Sequence, residues 1–189
     1  EAQLSFYRPS SEISRLNARA GHGPVQVEPR LFRLLQTAQD LHARTDGAFD
    51  PTVAPLMRCW GFVNDTGHLP DPAALAEARA RTGMHLVVLD EAGRTVRFER
   101  PGVLLDLGGI GKGYGMDEAM TILREAGVAR AFLHGGTSTV AALGRPAEGG
   151  SWSVALPRPG AGGDAEGSDV LAVVALDDTS LSVSAVWGK

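Results

Sequence analysis

Leu104-Leu105-Asp106-Leu107-Gly108-Gly109-Ile110-Gly111-Lys112-Gly113-Tyr114-Gly115 is the stretch on which the reading of this chain turns. The apolar run 103–107 reads as a short buried strand that delivers Asp106 near its end. A glycine-rich turn over 108–115 follows. A helix then carries Met116, Ala119, Met120 and Leu123 on one face and stops at Gly127. Glycines let a ligand touch the backbone, and a helix N-terminus presents unpaired N–H groups to an anion. Lys112 adds a point charge suited to phosphate. The stretch therefore reads as a phosphate or pyrophosphate cradle; the alternative is a turn that merely lets a helix pack on a sheet. It is neither of two familiar cradles. A Walker A loop needs Gly where Asp106 stands and Ser or Thr where Gly113 stands, and the spacing G-x-G-x-x-G fails at Tyr114 and at Met116.

Working outward, a helix is expected after Pro29, where Leu31, Leu34, Leu35, Ala38 and Leu41 recur at helical spacing and Gly47 lies just beyond the end. A second begins with Asp71 as N-cap and Pro72 in its first turn, runs through Ala74, Leu75 and Ala78, and has Gly83 as its natural stop. Residues 85–90 and 94–99 form a hairpin around Gly93. Beyond the central helix, strands are expected at 131–134, 139–143, 152–156, 171–176 and 181–186, with a Gly/Ala/Asp-rich loop at 159–167. Residues 6–17 lack hydrophobic periodicity and read as an ordered loop. The order helix, helix, hairpin, strand–turn–helix and then strands is not a regular βαβ alternation. It indicates an α+β fold: a single domain over 1–189 with mixed or antiparallel sheets, helices packed on them, and the Gly-rich strand–turn–helix at its centre.

Composition agrees with a globular chain of one domain's size: 189 residues, 43% hydrophobic and 21% charged, with a formal net charge of −4. Lys and Arg are scattered and outnumbered, so no nucleic-acid footprint is present and no nucleic-acid partner is expected. Cys59 is the only cysteine, which excludes an intrachain disulfide and a cysteine-based zinc site. No apolar run reaches the roughly 20 residues of a membrane span. Glu1 is not an initiator methionine, and residues 184–189 read as a strand leaving the core, so both ends are expected to be cut.

Three further stretches could carry chemistry. In Thr45-Asp46-Gly47-Ala48-Phe49-Asp50-Pro51-Thr52-Val53, the proline holds Asp50 out of the α region. A carboxylate fixed that way suits a base, a ribose or a hard cation, though Asp-Pro alone is also an ordinary turn. The aromatics of 55–62 suit either core packing or stacking on a flat ring. His134-Gly135-Gly136-Thr137-Ser138-Thr139 again sets small residues after an apolar strand, with His134 as a strand-end residue or a general base.

Taken together and in order, these stretches resemble the ApbE family, the FAD:protein FMN transferases. The pattern Tyr-x-x-x-Ser-Glu-(Ile/Leu)-Ser-x-Leu-Asn is matched by residues 7–17, and Thr-Asp-Gly-Ala-Phe-Asp-Pro-Thr-Val-x-Pro-Leu by 45–56, with Trp60-Gly61-Phe62 soon after. Asp-Leu-Gly-Gly-Ile-x-Lys-Gly-Tyr-x-x-Asp is matched by 106–117. The resemblance implies an enzyme that uses Mg2+ to transfer FMN from FAD to a threonine hydroxyl of a target protein, releasing AMP. The targets resemble flavin-carrying subunits of membrane redox complexes, and the implied location is in the bacterial periplasm or anchored to the inner membrane. It implies FAD contacts at Tyr7, Ala48, Phe49, Asp50, Asp106 and Lys112, and a magnesium ligand in the backbone oxygen of Gly109; it leaves the catalytic base open.

The chain departs from the family pattern in three places. The closing motif His-x-x-Asp-Pro-x-Thr-Gly does not occur, Leu181-Ser182-Val183-Ser184-Ala185 stands where Ala-Thr-Ser-Gly is usual, and Thr137-Ser138 replaces an acidic residue after Gly135-Gly136. The chain as given is therefore expected to bind FAD weakly and to transfer poorly. The alternative is a module that binds or hydrolyses FAD without modifying a protein.

Overall fold

The computed structural model describes residues 3–64, 66–136, 138–158 and 170–184. Thr137, the 159–167 loop and the last residues of the expected final strand lie outside them. The chain falls into two compact units, Glu1–Gly111 and Lys112–Lys189.

The first unit opens with α1 (Glu12–Arg19), in a stretch whose sequence reads as a loop. Ser11 caps it: its backbone is extended and its Oγ accepts from Ser14 N at 3.1 Å. At two turns the helix has room for one short apolar stripe, Ile13, Leu16 and the following Ala20, all buried. Three residues are too few to show a period in the sequence. Helix α2 (Pro29–Arg44) follows the expected pattern and buries Leu31, Phe32, Leu34, Leu35 and Ala38. The chain reverses after it through left-handed Asp46 and Gly47, φ 50° and 79°. Then come α3 (Ala54–Cys59) and α4 (Pro72–Ala80). The N-cap of α4 is the expected Asp71, whose Oδ1 accepts from Ala73 N at 2.8 Å and Ala74 N at 3.2 Å.

The hairpin is present as β2 (Val87–Asp90) and β3 (Thr95–Phe98), and β1 (Val25–Gln26) adds an outer strand in the order β1-β3-β2. Its turn is tied by Gly93 N donating to Asp90 Oδ2 at 3.0 Å. Residues 103–107 are extended and alternate as a strand should, with Val103, Leu105 and Leu107 buried, yet they join no sheet. Their backbone partners are a side chain and a loop carbonyl, described below.

Helix α5 (Gly108–Glu125) also departs from expectation, because it starts seven residues before Gly115 and contains the glycine-rich stretch. Gly108 to Gly111 close the first unit and Lys112 opens the second. In that second unit Met116, Met120 and Leu123 pack on Ala131, Leu133, Ala141 and Leu143. Those residues belong to β4 (Ala131–His134) and β5 (Thr139–Leu143), which form a sheet with β8 (Ser180–Ser182) in the order β4-β5-β8. A two-stranded ribbon, β6 (Trp152–Pro157) with β7 (Val170–Leu176), completes it. Trp152 fixes the ribbon's start by stacking on Phe132, centroids 5.4 Å apart, and donating from Nε1 to Gly144 O at 3.0 Å. Gly144 itself has φ 55°, and a Cβ there would lie 2.3 Å from Ala129 O, so the turn admits only glycine.

All described strand pairs are antiparallel, and the α+β class stands. Among the described residues no helix is long and apolar enough to cross a membrane.

Candidate functional site

The first unit brings two of the sequence-marked stretches together: the loop after α2 and the residues that enter α5. The link begins with Asn17, in the last turn of α1. Its Nδ2 donates to Leu105 O and its Oδ1 accepts from Leu105 N, both at 2.9 Å. An amide side chain thus supplies at Leu105 the pair of hydrogen bonds that a neighbouring strand would otherwise give. The next residue is tied from the other side, as Asp106 N donates to Pro51 O at 2.7 Å. The carboxylate of Asp106 then turns onto the start of α5, its Oδ1 accepting from Gly108 N at 2.7 Å. That contact satisfies one of the helix's orphan donors and sets negative charge at the positive end of the helix dipole. Oδ2 of Asp106 makes no hydrogen bond to a described residue and is available to a ligand.

Asp50 is held as rigidly. Its Oδ1 accepts from Thr52 N at 2.8 Å and from Thr52 Oγ1 at 2.6 Å, and that buried hydroxyl oxygen in turn accepts from Gly83 N at 2.6 Å. Its Oδ2 lies 3.7 Å from His42 Nδ1, which is 2.9 Å from Phe49 O. The 2.9 Å contact requires a proton on Nδ1, because a carbonyl oxygen only accepts. Thr45 closes the loop by accepting from Phe49 N with its Oγ1 at 3.0 Å. Ala48 stands exposed at the tip. The ring of Phe49 lies against Gly109, where a Cβ would sit 3.2 Å from Cε2. So Phe49, Asp50, Asp106 and Gly109 form one neighbourhood, with Asp106 bonded to the residue after Asp50.

Tyr7 belongs to a different group. It is 67% exposed and meets Phe6 edge-on at 5.6 Å, while Arg58 lies 5.1 Å over the Phe6 ring. Trp60 stacks on Phe62, which is 62% exposed. The aromatics of 55–62 are thus not simply core: part of the group faces solvent. In the second unit, Lys112 Nζ donates to Ser138 Oγ at 2.8 Å, and Ser138 O accepts from Val183 N and Ser182 Oγ at 2.8 and 3.3 Å. Lys112 is exposed and His134 ends β4 exposed.

The glycines of α5 decide how the stretch is to be read. A glycine in a helix interior costs about 0.8–1 kcal/mol against alanine, so Gly111, Gly113 and Gly115 together cost roughly 2.4–3 kcal/mol. Packing accounts for Gly109, pressed by Phe49. It does not account for Gly113, where a Cβ would meet nothing within 4 Å. Bare helical backbone on an open surface is what close approach of a ligand requires. Among the described residues no group of three His, Cys, Asp or Glu could enclose a metal ion. A hard cation here would take most of its oxygens from phosphate and water, as Mg2+ commonly does.

A family model described as the ApbE family matches residues 1–188. This chain belongs to the ApbE family. Curated relatives include a protein named FAD:protein FMN transferase from Salmonella typhimurium, 34% identical over 160 residues that cover 82% of this chain and 45% of that protein. The protein of the same name from Haemophilus influenzae is 30% identical over 188 residues, 97% of this chain and 53% of the other. Among solved structures, the ApbE protein of Thermotoga maritima superposes with TM-score 0.83 at 28% identity over 95% of this chain and 56% of that one. The apo form of the flavinyl transferase ApbE of Pseudomonas stutzeri gives 0.80 at 30% identity over 93% and 53%. The chain spans about half the length of the curated relatives it matches.

Sequence reasoning did not single out Asn17, His42 and Thr52, whose side chains bond to Leu105, Phe49 and Asp50 within the two stretches. Asn17 and Thr52 lie inside the quoted motifs, but Asn17 acts 88 positions away and Thr52 acts 31 positions away. Nothing local in either motif marks such a partner.

Proposed function

We propose that this chain forms the FAD-binding part of an FAD:protein FMN transferase. In the reaction, the oxygen of a target threonine bonds to the FMN phosphorus of FAD and the pyrophosphate bond to AMP breaks. AMP leaves, and the hydroxyl proton is released. The observation that carries the proposal is the glycine-rich start of α5, bare at Gly113 and entered directly from Asp106. The names borne by its relatives support transfer of FMN from FAD to a protein; the threonine acceptor and the release of AMP belong to the proposal.

Phe49 and Ala48 would line the flavin nucleotide, and Asp50 and Asp106, fixed by Thr52 and Gly108, would accept from its hydroxyl or base donors. Tyr7, exposed on the Phe6 edge, offers a ring face for stacking. Lys112, steadied by Ser138, would contact phosphate as a point charge. Mg2+ with Gly109 O as one ligand would neutralise developing charge on the pyrophosphate. The acceptor would be a flavin-carrying protein, of the kind found in membrane redox complexes.

The test is calorimetric titration of FAD into the protein with and without Mg2+, beside Asp106→Ala. Saturable binding that tightens with Mg2+ and weakens at least about tenfold in the variant, roughly 1.4 kcal/mol, is expected. Absence of FAD binding would overturn the proposal. Binding with AMP release into water but no labelling of any threonine peptide would replace transfer by hydrolysis.

A further inference from the structure

The end of α2 grips the loop at 45–50 through backbone and side chains alike. His42 O accepts from Gly47 N at 2.9 Å, which fixes the reversal of the chain. Thr45 Oγ1 accepts from Phe49 N at 3.0 Å, and His42 Nδ1 donates to Phe49 O at 2.9 Å. Both backbone groups of Phe49 are thus satisfied by side chains, with no ladder or helical turn involved. The ring that follows from this placement is the one that lies against Gly109. His42 itself stands outside the stretches 7–17, 45–56 and 106–117 that match the family pattern.

The same ring nitrogen has a second candidate partner that it does not take. Asp50 Oδ2 lies 3.7 Å from His42 Nδ1, beyond hydrogen-bond reach. A neutral imidazole carries one N–H, and with that proton on Nδ1 and given to Phe49 O, none is left for the carboxylate. Oδ1 of Asp50 already accepts twice from Thr52. Its Oδ2 makes no hydrogen bond to a described residue, so the carboxylate is anchored at one oxygen and open at the other.

We propose that His42 is a positioning residue for FAD, an inference that rests on the flavin reading of this loop. It touches no part of the nucleotide. It acts through Phe49, whose ring it aims at Gly109, and through Asp50, whose Oδ2 it leaves open for a donor of the ligand. Phe49 is only half-buried, so water can replace the imidazole at its carbonyl, and the bond adds little to the stability of the fold. Binding is affected more, because a loop released from this hold has to be ordered again each time the ligand docks. A purely structural histidine would show the opposite balance.

The test compares wild type, His42→Ala and His42→Asn by calorimetric titration of FAD in the presence of Mg2+. Alanine is the better helix former, so α2 is kept, and the asparagine amide restores an N–H near the place of Nδ1. His42→Ala should weaken FAD binding at least about tenfold while the urea midpoint falls by no more than about 0.5 M. His42→Asn should recover most of the affinity. Two readouts need no FAD. Hydrogen exchange of the 45–50 peptide should quicken in His42→Ala and slow again in His42→Asn, and NMR of the wild-type imidazole at mildly alkaline pH should find the proton on Nδ1. The proposal is overturned by FAD affinity of His42→Ala within about twofold of wild type, by no recovery in His42→Asn, or by a proton on Nε2. Wild type that fails to bind FAD, with exchange and tautomer as expected, would overturn the flavin reading itself and leave His42 a stabiliser of the turn.

Discussion

Asn17→Ala would remove both hydrogen bonds that hold Leu105, and Leu105 is fully buried, so neither backbone group has water at hand. A buried donor or acceptor left unpaired costs about 1–3 kcal/mol. Two such groups give about 2–6 kcal/mol, and because Asn17 is itself only half-buried, water entering the vacated space favours the lower part, about 2–3 kcal/mol. That is a large share of a domain's total of about 5–15 kcal/mol. With a urea slope of about 2 kcal/mol/M, the midpoint should fall by about 1–1.5 M without a change in slope.

Asn17→Asp sharpens the test. The carboxylate still accepts from Leu105 N–H but turns its second oxygen onto the Leu105 carbonyl, so its protonated form is favoured in the folded state. Its folded pKa is then raised above the unfolded value near 3.9. The variant should therefore regain stability as pH falls and lose it as pH rises through the folded pKa. The assays are urea titration by circular dichroism and hydrogen exchange of the 103–107 peptide. A midpoint shift below about 0.3 M for Asn17→Ala, with exchange of that peptide unchanged, would refute the clamp.

Other outcomes follow from the same geometry. Thr52→Val should cost about 2–3 kcal/mol in urea titration, because it leaves Gly83 N and Asp50 Oδ1 without the buried hydroxyl, whereas Thr52→Ser should cost much less. Gly113→Ala meets no atom and should raise stability by about 0.5–1 kcal/mol while weakening FAD binding; a stabilised variant with unchanged FAD affinity would count against ligand approach at that turn. Asp106→Asn keeps an oxygen for Gly108 N and should retain most of the stability that Asp106→Ala loses, about 1 kcal/mol by thermal melting. Both should lose FAD affinity if charge is what the ligand meets.

The sequence alone determined the elements whose signals are local. Helix α4 was legible from Asp71 and Pro72, α2 from five apolar residues on one face, and the hairpin from its turn. The strands at 131–134 and 139–143 were legible to the residue. The long motifs also carried the family and pointed to the loop and the glycine stretch as a candidate site. What the sequence could not decide was where backbone groups find partners far along the chain. Residues 103–107 have a strand's alternation, but a strand is defined by its neighbour, and here the neighbour is one amide from α1. The glycines of α5 predict a turn by local propensity. The structure instead carries the helix back to Gly108, whose N–H is bonded by Asp106, with Met116 and Met120 seated on β4 and β5 further along it. The pairing of Asp50's loop with Asp106 was likewise settled by tertiary structure, through a carbonyl at Pro51 that no side-chain pattern encodes.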